Sequence, residues 1–184
     1  MRESGSRGIS RVGGNQAMIR DAREEDLAAI VAIYNASIPS RLSTADTEPV
    51  SVDSRREWFR QHGTMRHPLW VLERDRRVAG WLSFGPFYGR PAYAATAEVS
   101  VYVAADFQRQ GVGTALLEEA MLRSPSLRIE TLLGFIFAHN VPSLALFAKF
   151  GFERWAHLPR VAELDGIKRD LVIVGRHLQG IDVG

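Results

Sequence analysis

The sequence predicts a single α/β domain in which a mixed β-sheet carries helices on both faces. Three observations lead to this fold class. The chain has 184 residues, of which 46% are hydrophobic, so it holds enough apolar side chains for one sizeable core. Short β-rich runs alternate with segments of helical periodicity. The predicted order is a strand, two helices, three strands, a helix, a strand, a helix and two strands, which is typical of a mixed sheet.

The first third of the chain predicts one strand and two helices. The elements are a strand over residues 18–22, a helix ending at residue 38, a loop over residues 39–50 and a second helix ending near residue 63. Glu24, Glu25 and Asp26 favour the start of the first helix, because negative charge is stabilised at a helix amino terminus. Ser51 or Asp53 has the right side chain to cap the second helix.

A hairpin and a longer strand follow. The predicted elements are strands over residues 69–73 and 78–84 around a charged turn, a Gly/Pro/aromatic loop over residues 85–93 and a strand over residues 96–103. The last strand alternates valines at positions 99, 101 and 103 with polar residues between them. Because neighbouring side chains of a strand point to opposite faces, Glu98 shares a face with Ser100 and Tyr102.

The second half of the chain predicts two helices and three strands. They are a helix after Gly111, a strand over residues 131–137, a helix from Asn140 to Gly151, and strands over residues 153–161 and 168–175. Gly151 is expected to end its helix in the left-handed conformation. We expect one domain over residues 18–178, with residues 1–17 as a disordered amino-terminal tail and residues 179–184 as a carboxyl-terminal tail.

The charge balance argues against a nucleic-acid partner. Lys and Arg number 23 and Asp and Glu number 21, so the net charge is +2. Three arginines and one glutamate within residues 1–17 supply that excess, which leaves 20 positive and 20 negative side chains in the rest of the chain. A nucleic-acid-binding face needs a dense basic cluster with exposed aromatic residues. We therefore expect no nucleic acid among the partners.

Composition also limits metals, membranes and compartment. Cysteine is absent and the five histidines are scattered, so the sequence predicts no disulfide and no metal site. The absence of cysteine is compatible with a reducing compartment, and we expect the cytoplasm. No apolar run reaches the roughly 18 residues that cross a bilayer, so we expect no membrane partner.

The most informative segment is a glycine-rich turn between a strand and a helix. It consists of Gln108, Arg109, Gln110, Gly111, Val112, Gly113 and Thr114. Glycines leave backbone N–H groups unscreened and the helix amino terminus adds partial positive charge, so a pyrophosphate can bind there without a metal. A dinucleotide fingerprint would need a small residue where Leu116 stands. On residue types alone, the turn either binds phosphate or only starts a helix.

This segment resembles the signature of the GNAT superfamily of N-acetyltransferases, Gln/Arg-x-x-Gly-x-Gly/Ala after a valine-rich strand. The signature here is Gln108-x-x-Gly111-x-Gly113. Residues 140–143 and 146–152 resemble the second coenzyme A segment of the superfamily. The resemblance implies the GNAT fold over residues 18–176, with a mixed, mostly antiparallel sheet of about six to seven strands and helices on both faces.

Within the superfamily, the chain resembles phosphinothricin and methionine sulfoximine acetyltransferases. The similar segments are residues 47–49, 85–93, 96–103 and 155–170. Such enzymes acetylate the α-amino group of glutamate-like inhibitors and are generally homodimers. The resemblance therefore implies acetyl-coenzyme A as the acetyl donor, a small-molecule amine as the acceptor, and a second copy of the chain as a partner.

The resemblance also assigns roles to individual residues. The coenzyme-binding positions are Val101, Tyr102, Val103, residues 108–114, Asn140 and Ser143, and the acceptor-binding positions are Phe87, Tyr88, Arg90, Tyr93 and Thr96. Glu98 falls on the general base. Main-chain groups of Val101 and Val103 would hold the pantetheine and the acetyl carbonyl, and a local bulge in the strand would free an N–H for the developing negative charge.

The chemistry of amine acetylation is compatible with these assignments. An amine is mostly ammonium at neutral pH and must lose a proton before it attacks a thioester, so Glu98 is a suitable base. Arg90 either pairs with an acceptor carboxylate or is a solvated loop charge. Many superfamily members have Tyr or His where this chain has Phe147, so a side-chain proton donor for the leaving thiolate is in doubt, with Tyr102 as an alternative.

Several residues have a structural interpretation, and two other functions stay open. Trp81 is expected in the core, His139 at the surface, and the Arg55-Arg56 pair on a solvated helix face. One alternative function is acetylation of a protein amino terminus, a lysine or a polyamine. Phe147 motivates the other, a catalytically silent acyl-coenzyme A sensor.

Overall fold

The computed structural model describes residues 17–63 and 65–178, which form one seven-stranded sheet and four α-helices. The strands are β1 (Ala17–Asp21), β2 (Leu69–Arg74), β3 (Arg77–Pro86), β4 (Thr96–Val103), β5 (Thr131–Phe137), β6 (Glu153–Leu164) and β7 (Ile167–His177). The helices are α1 (Leu27–Ser37), α2 (Val52–Gln61), α3 (Val112–Arg123) and α4 (Val141–Lys149). The predicted order of elements and the mixed α/β fold class are confirmed.

The sheet has the strand order β1-β2-β3-β4-β5-β7-β6. Every neighbouring pair is antiparallel except β4 and β5, which are parallel. A parallel pair needs a crossover connection, and α3 supplies it between these two strands. The parallel pair therefore lies at the centre of a mostly antiparallel sheet.

Helices cover both faces of the sheet because side chains alternate along the strands. Trp70 and Leu72 of β2 pack into the cluster that includes buried residues of α3 and α4. Val71 of β2 points the other way and packs with Trp81 and with Ile30 of α1. The predicted core position of Trp81 is confirmed, since it is 3% exposed and its indole N–H donates to the Ile30 carbonyl.

Local turn and cap signals form as their residue types predict. Asp75 and Arg76 both have positive φ in the tight turn between β2 and β3, as a two-residue hairpin loop with right-handed strand twist requires. The Ser51 hydroxyl accepts a hydrogen bond from the Ser54 N–H and caps α2. Gly151 has φ of +73° after α4, the left-handed geometry expected at this helix end.

Some predicted boundaries were wrong by a few residues. Strand β3 continues to Pro86, because its ladder with β4 extends through Gly85 into the segment predicted as a loop. Strand β1 includes Ala17, which pairs with Arg74 and is buried, so the predicted tail is one residue shorter at this end. The predictions for residues 1–16 and 179–184 lie outside the described residues. In the described part of the chain, no helix is long and apolar enough to cross a membrane.

Candidate active site

Strands β4 and β5 diverge after a short stretch of pairing. The ladder joins Thr96 to Thr131, Ala97 to Leu132 and Glu98 to Leu133, and it ends there although both strands continue. From this point the two central strands of the sheet are separated by a cleft.

The divergence leaves main-chain groups of β4 facing the cleft. The Ala104 N–H donates to the Ala79 carbonyl, so in the regular antiparallel alternation Tyr102 and Ser100 also bond to β3. Val101 and Val103 consequently direct their N–H and C=O groups away from β3, towards the space that β5 has left. The expected bulge is wrong, because the register of β3 with β4 runs without a shift. Separation of β5 exposes these groups instead.

A cavity of about 390 Å³ occupies the cleft. Its walls come from five parts of the fold: the loop after α1, strand β4, strand β5, helix α4 and the β6–β7 hairpin. The lining includes the sequence-predicted positions Glu98, Val101, Tyr102, Asn140, Ser143 and Phe147. The structure therefore brings the predicted base, part of the predicted coenzyme strand and the second coenzyme segment into one space.

Glu98 is half-buried at the point where the two strands separate. Gly85 lies directly opposite on β3, so no side chain covers the carboxylate from that strand. Among the described residues, none forms a hydrogen bond or ion pair with this carboxylate. Burial raises the pKa of Glu98 above the ordinary glutamate value, since desolvation disfavours its charged form. A carboxylate with a raised pKa is a better proton acceptor, as a general base requires.

The glycine-rich turn leads into α3 with an uncapped amino terminus. Gly111 occupies the cap position with φ of +82°, and no side chain of the described residues caps this helix. The N–H groups of Val112, Gly113 and Thr114 lie in the first turn, where a helix offers no internal partner. A Cβ at Gly111 would have no atom within 4 Å, so the space over the turn is open. This geometry suits an anionic group.

Two residues of the turn have structural roles that the sequence did not predict. The Gln110 amide donates to the Asp106 carbonyl at 2.7 Å and accepts from Arg74 at 3.0 Å. These two bonds orient the Gln110 side chain towards Asp106 and Arg74. A Cβ at Gly113 would lie 3.2 Å from Leu146, so this glycine lets α3 approach α4 closely. Gln108 and Arg109 are exposed at the mouth of the turn.

The predicted second coenzyme segment is built around a buried asparagine. Asn140 is 5% exposed, and its side-chain oxygen caps α4 by accepting from the Ser143 N–H at 3.2 Å. Its amide nitrogen donates to the Leu42 carbonyl at 3.1 Å. Phe147 packs over Gly134 of β5, where any Cβ would lie 2.8 Å from its ring. Position 147 is therefore occupied by a hydrophobic ring that has no proton to donate to a leaving thiolate.

Residues 41–46, which we name the strap, cross one side of the cavity. Three successive strap carbonyls accept hydrogen bonds from three side chains: Arg41 from His139 at 2.8 Å, Leu42 from Asn140 at 3.1 Å and Ser43 from Tyr102 at 3.0 Å. The Arg41 side chain is paired with Asp165 in the β6–β7 turn at 2.8 Å. The strap thus ties the loop after α1 to both halves of the sheet. His139 is part of this attachment and is partly buried, not a free surface residue.

Tyr102 is held as a structural residue. Its ring stacks on Trp81 with centroids 4.5 Å apart, and its hydroxyl donates to the strap. Burial raises the pKa of this hydroxyl well above its ordinary value. The alternative of Tyr102 as the proton donor to a leaving thiolate is therefore disfavoured in this arrangement.

The predicted acceptor-binding residues lie apart from Glu98. Phe87, Arg90, Tyr93 and Thr96 line a separate open cavity of about 400 Å³ together with Arg66 and His67. Tyr88 is 77% exposed, and its ring contacts those of Phe87 and Tyr93. None of these residues lines the cleft between β4 and β5.

Other residues near the site were not predicted. Arg55 is not a solvated helix charge, because it pairs with Asp46 at 2.9 Å and its guanidinium lies 4.9 Å from the Tyr34 ring centre. Arg56 matches the prediction better, since its side chain is 43% exposed and pairs with Asp53 and Glu24 at the surface. The Tyr34 hydroxyl bonds to Asp46 and to Thr44 of the strap. In the sequence, Tyr34 falls in the apolar pattern of α1, and that pattern does not indicate that its hydroxyl binds polar side chains.

Metal ligands are not grouped in the described chain. Within residues 17–63 and 65–178, no three His, Asp or Glu side chains are close enough together to hold an ion. The groups that line the cleft include the carboxylate of Glu98 and main-chain groups of β4.

Comparison with known proteins agrees with this geometry. The sequence model of the acetyltransferase (GNAT) family matches residues 21–152. YwnH of Bacillus subtilis, a candidate phosphinothricin acetyltransferase by name, is 52% identical over 161 residues, with 87% of this chain and 98% of YwnH covered. An L-methionine sulfoximine/L-methionine sulfone acetyltransferase of Pseudomonas aeruginosa is 29% identical over 163 residues, with 88% and 95% covered.

A solved structure extends the comparison to three dimensions. The crystal structure of a GNAT superfamily phosphinothricin acetyltransferase from Sinorhizobium meliloti, in complex with acetyl-coenzyme A, superimposes with a TM-score of 0.84. The identity is 27%, and 91% of this chain and 92% of that chain are covered. The order of the elements, the separation of β5 from β4 and the similarity to these relatives all indicate the same family. The chain belongs to the GNAT family of acetyltransferases.

Proposed function

We propose that the chain transfers the acetyl group of acetyl-coenzyme A to the primary amine of a small amino-acid-like acceptor of the phosphinothricin or methionine sulfoximine type. The observation that carries the proposal is the cleft at the end of the β4–β5 ladder. Both Val101, with its outward-facing main chain, and Glu98, with its carboxylate, line this cleft. A thioester donor and an amine acceptor need these two groups side by side.

The residues at the cleft fit the parts of an acetyl-coenzyme A molecule. The N–H groups of residues 109–114 and the amino terminus of α3 suit a pyrophosphate. The edge of β4 suits the amide-containing pantetheine arm, which can extend the hydrogen bonding of the strand. Ser143 and the strap face the same cavity. The bound donor supplies an activated acetyl group as a thioester.

Glu98 takes the proton that the ammonium form of the acceptor must lose before attack. Its raised pKa favours this transfer directly or through one water molecule. The Val101 N–H faces the cleft and can donate to the carbonyl oxygen on which negative charge builds. Phe147 has no proton to donate, so the leaving thiolate takes one from solvent, and the nitrogen releases its second proton to solvent as the amide forms. A thiolate is a tolerable leaving group without a side-chain acid.

An acceptor screen tests this function. The purified protein is mixed with acetyl-coenzyme A and one amine at a time, and release of the free thiol is followed. We expect turnover with phosphinothricin, methionine sulfoximine or methionine sulfone, and little with amino-terminal peptides, lysine peptides or spermidine. Turnover restricted to peptides or polyamines would favour the first alternative. Tight coenzyme binding without turnover on any amine would favour the sensor that Phe147 suggests.

We also propose that the active form is a cytoplasmic homodimer. Strand β6 is the edge strand of the sheet and carries exposed apolar side chains, among them Trp155 and Val161. Ile167, at the start of β7, is 52% exposed on the same hairpin. An exposed apolar edge is a liability unless another surface covers it. Sedimentation velocity is expected to give a dimer, and Ile167→Glu to shift it towards monomer; a monomeric wild-type protein would contradict this part.

A further inference from the structure

A third cavity, of about 180 Å³, lies under α1 and α2, on the face of β4 that carries Glu98, Ser100 and Tyr102. We name it the Arg55 cavity. Ser100 and Tyr102 line both this cavity and the cleft, so the two spaces share a wall. The hydroxyl-bearing side chains of Ser83 and Ser100 are opposite each other on β3 and β4 and form part of its polar lining.

Arg55 is the only basic residue among those that line this cavity in the described chain. Its side chain is 27% exposed, and its guanidinium lies near the rings of Tyr34 and Trp58, at 4.9 and 5.8 Å from their centres. Ring contacts hold the guanidinium in place without using its N–H donors. One N–H bond, to Asp46 at 2.9 Å, is its hydrogen bond within the described residues.

Arg20 shows how many carboxylates one guanidinium group binds elsewhere in this protein. Its guanidinium makes four hydrogen bonds to two carboxylates, those of Asp26 and Glu73, and its side chain is 14% exposed. An arginine carries five N–H donors and no acceptor. Arg55 is more exposed, at 27%, and binds one carboxylate oxygen. It therefore has donors left for a second anionic group that enters the cavity.

We propose that the Arg55 cavity is an acceptor subsite and that Arg55 binds the carboxylate of the acceptor. This inference rests on the proposed function. The acceptor amine lies towards Ser100 and Glu98, and its carboxylate lies towards α2. Asp46 remains paired with Arg55 and Tyr34, so the fixed groups form a nearly neutral pair before the acceptor arrives. The acceptor class is then amino acids, since an amine without a carboxylate gains nothing from Arg55.

The positive charge of Arg55 favours acceptors that carry a carboxylate over uncharged acceptors of the same shape. A carboxylate gains a charge-assisted hydrogen bond from Arg55 in a partly desolvated site. The carboxamide of the same acceptor has the same shape and no charge, and it gains only an ordinary hydrogen bond. Changes in the shape of the site affect both acceptors. The change in the acid-to-carboxamide ratio between the wild type and the Arg55 variant therefore reports on the charge of Arg55.

The test compares Arg55→Met with Arg56→Met, its neighbour on the same helix, which lies outside the cavity. The acceptors are L-methionine sulfone and its carboxamide, each measured by steady-state kinetics and by calorimetric binding in the presence of coenzyme A. We expect Arg55→Met to raise the KM and Kd for methionine sulfone about tenfold or more and to change those for the carboxamide little. Arg56→Met should match the wild type, and Arg55→Lys should fall between the two.

Two results would overturn the inference. Equal losses on the acid and the carboxamide in Arg55→Met would mean that Arg55 only supports the fold, and thermal unfolding of Arg55→Lys checks this. A wild-type protein that binds the acid no more tightly than the carboxamide would also remove the subsite. Failure of the proposed function is distinct, because it is the absence of acetyl transfer, whereas the calorimetric preference for the acid is read without turnover.

Discussion

Strand β4 can be compared with itself, because its two halves have the same neighbour on one side and different surroundings on the other. Ala97 and Glu98 are paired with both β3 and β5, and Thr96 is paired with β5. From Val99 onward β3 continues beside it and β5 departs. Ala97 is fully buried in the first half, whereas Val101 and Val103 of the second half are partly exposed.

This difference separates two tasks along one strand. The paired half joins the two parts of the sheet and contributes to the core. The separated half keeps its main-chain donors and acceptors available, which is ordinarily a cost in a protein interior. Glu98 stands at the boundary between them. If this view is right, substitutions in the paired half reduce stability, and substitutions around the separated half reduce catalysis or coenzyme binding.

The largest expected effect is that of Glu98→Gln at the boundary. Loss of the base should lower kcat by about 100- to 1,000-fold and leave the affinity for acetyl-coenzyme A unchanged. In the wild type, kcat/KM should fall as pH drops through the pKa of Glu98, which burial has raised, because protonation removes the base. Steady-state kinetics across pH measure both effects. If Glu98→Gln turned over as fast as the wild type, or if its kcat/KM fell at low pH just as that of the wild type does, Glu98 would not be the general base.

The next effect is on stability in the paired half. Leu132 pairs with Ala97 across the β4–β5 ladder and is fully buried. Leu132→Ala should lower the free energy of unfolding by about 2–5 kcal/mol, because it removes buried methyl groups and leaves a cavity. Leu122→Ala, at a 75% exposed position on α3, is the matched control and should change it by less than about 0.5 kcal/mol. Urea denaturation gives both free energies of unfolding. Equal decreases in the two variants would contradict the structural role given to the paired half of β4.

A smaller effect is expected on coenzyme affinity at the turn before α3. Gly111→Leu and Gly166→Leu place the same side chain at φ of +82° and +77°, each with no atom within 4 Å of the new Cβ. Both should lose similar stability, about 1–2 kcal/mol, from the left-handed conformation. Only Gly111→Leu should also weaken acetyl-coenzyme A binding, by about tenfold, through lost charge-assisted bonds. Equal affinity of the two variants in calorimetry would remove the pyrophosphate assignment.

The smallest effect is expected at Phe147. Phe147→Tyr adds a hydroxyl to a ring that lines the cleft and packs on Gly134. If the leaving thiolate needs no side-chain donor, kcat should change by less than about threefold, well below the usual gain from general acid catalysis. Single-turnover measurements with a saturating acceptor report on this step. A large increase in rate would mean that proton donation limits the native protein.

The sequence predicted most of the fold because its signals are local. Alternation in β4, helical spacing in α3 and the cap residue Ser51 each depend on neighbours within a few positions. The glycine-rich turn was recognisable for the same reason. Errors were confined to boundaries such as the extension of β3 to Pro86, where pairing with β4 decides the end of the strand.

The parts of the site that escaped prediction depend on long-range contacts. Arg55 and Asp46 are nine residues apart and become partners only when the strap folds back over α2. Arg41 and Asp165 are separated by 124 residues. No periodicity marks such pairs. The predicted bulge was wrong for a related reason, since the fold exposes the β4 main chain by moving β5, which no residue of β4 reveals.

The central claim is that the separated half of β4 binds the thioester arm through its main chain. Amide hydrogen exchange, followed by NMR residue by residue with and without acetyl-coenzyme A, tests it most directly. The Val101 and Val103 amides should exchange rapidly in the free protein and become protected on binding, while Ser100 and Tyr102, bonded to β3, stay protected throughout. Unchanged exchange at Val101 and Val103 in a saturated complex would contradict the claim.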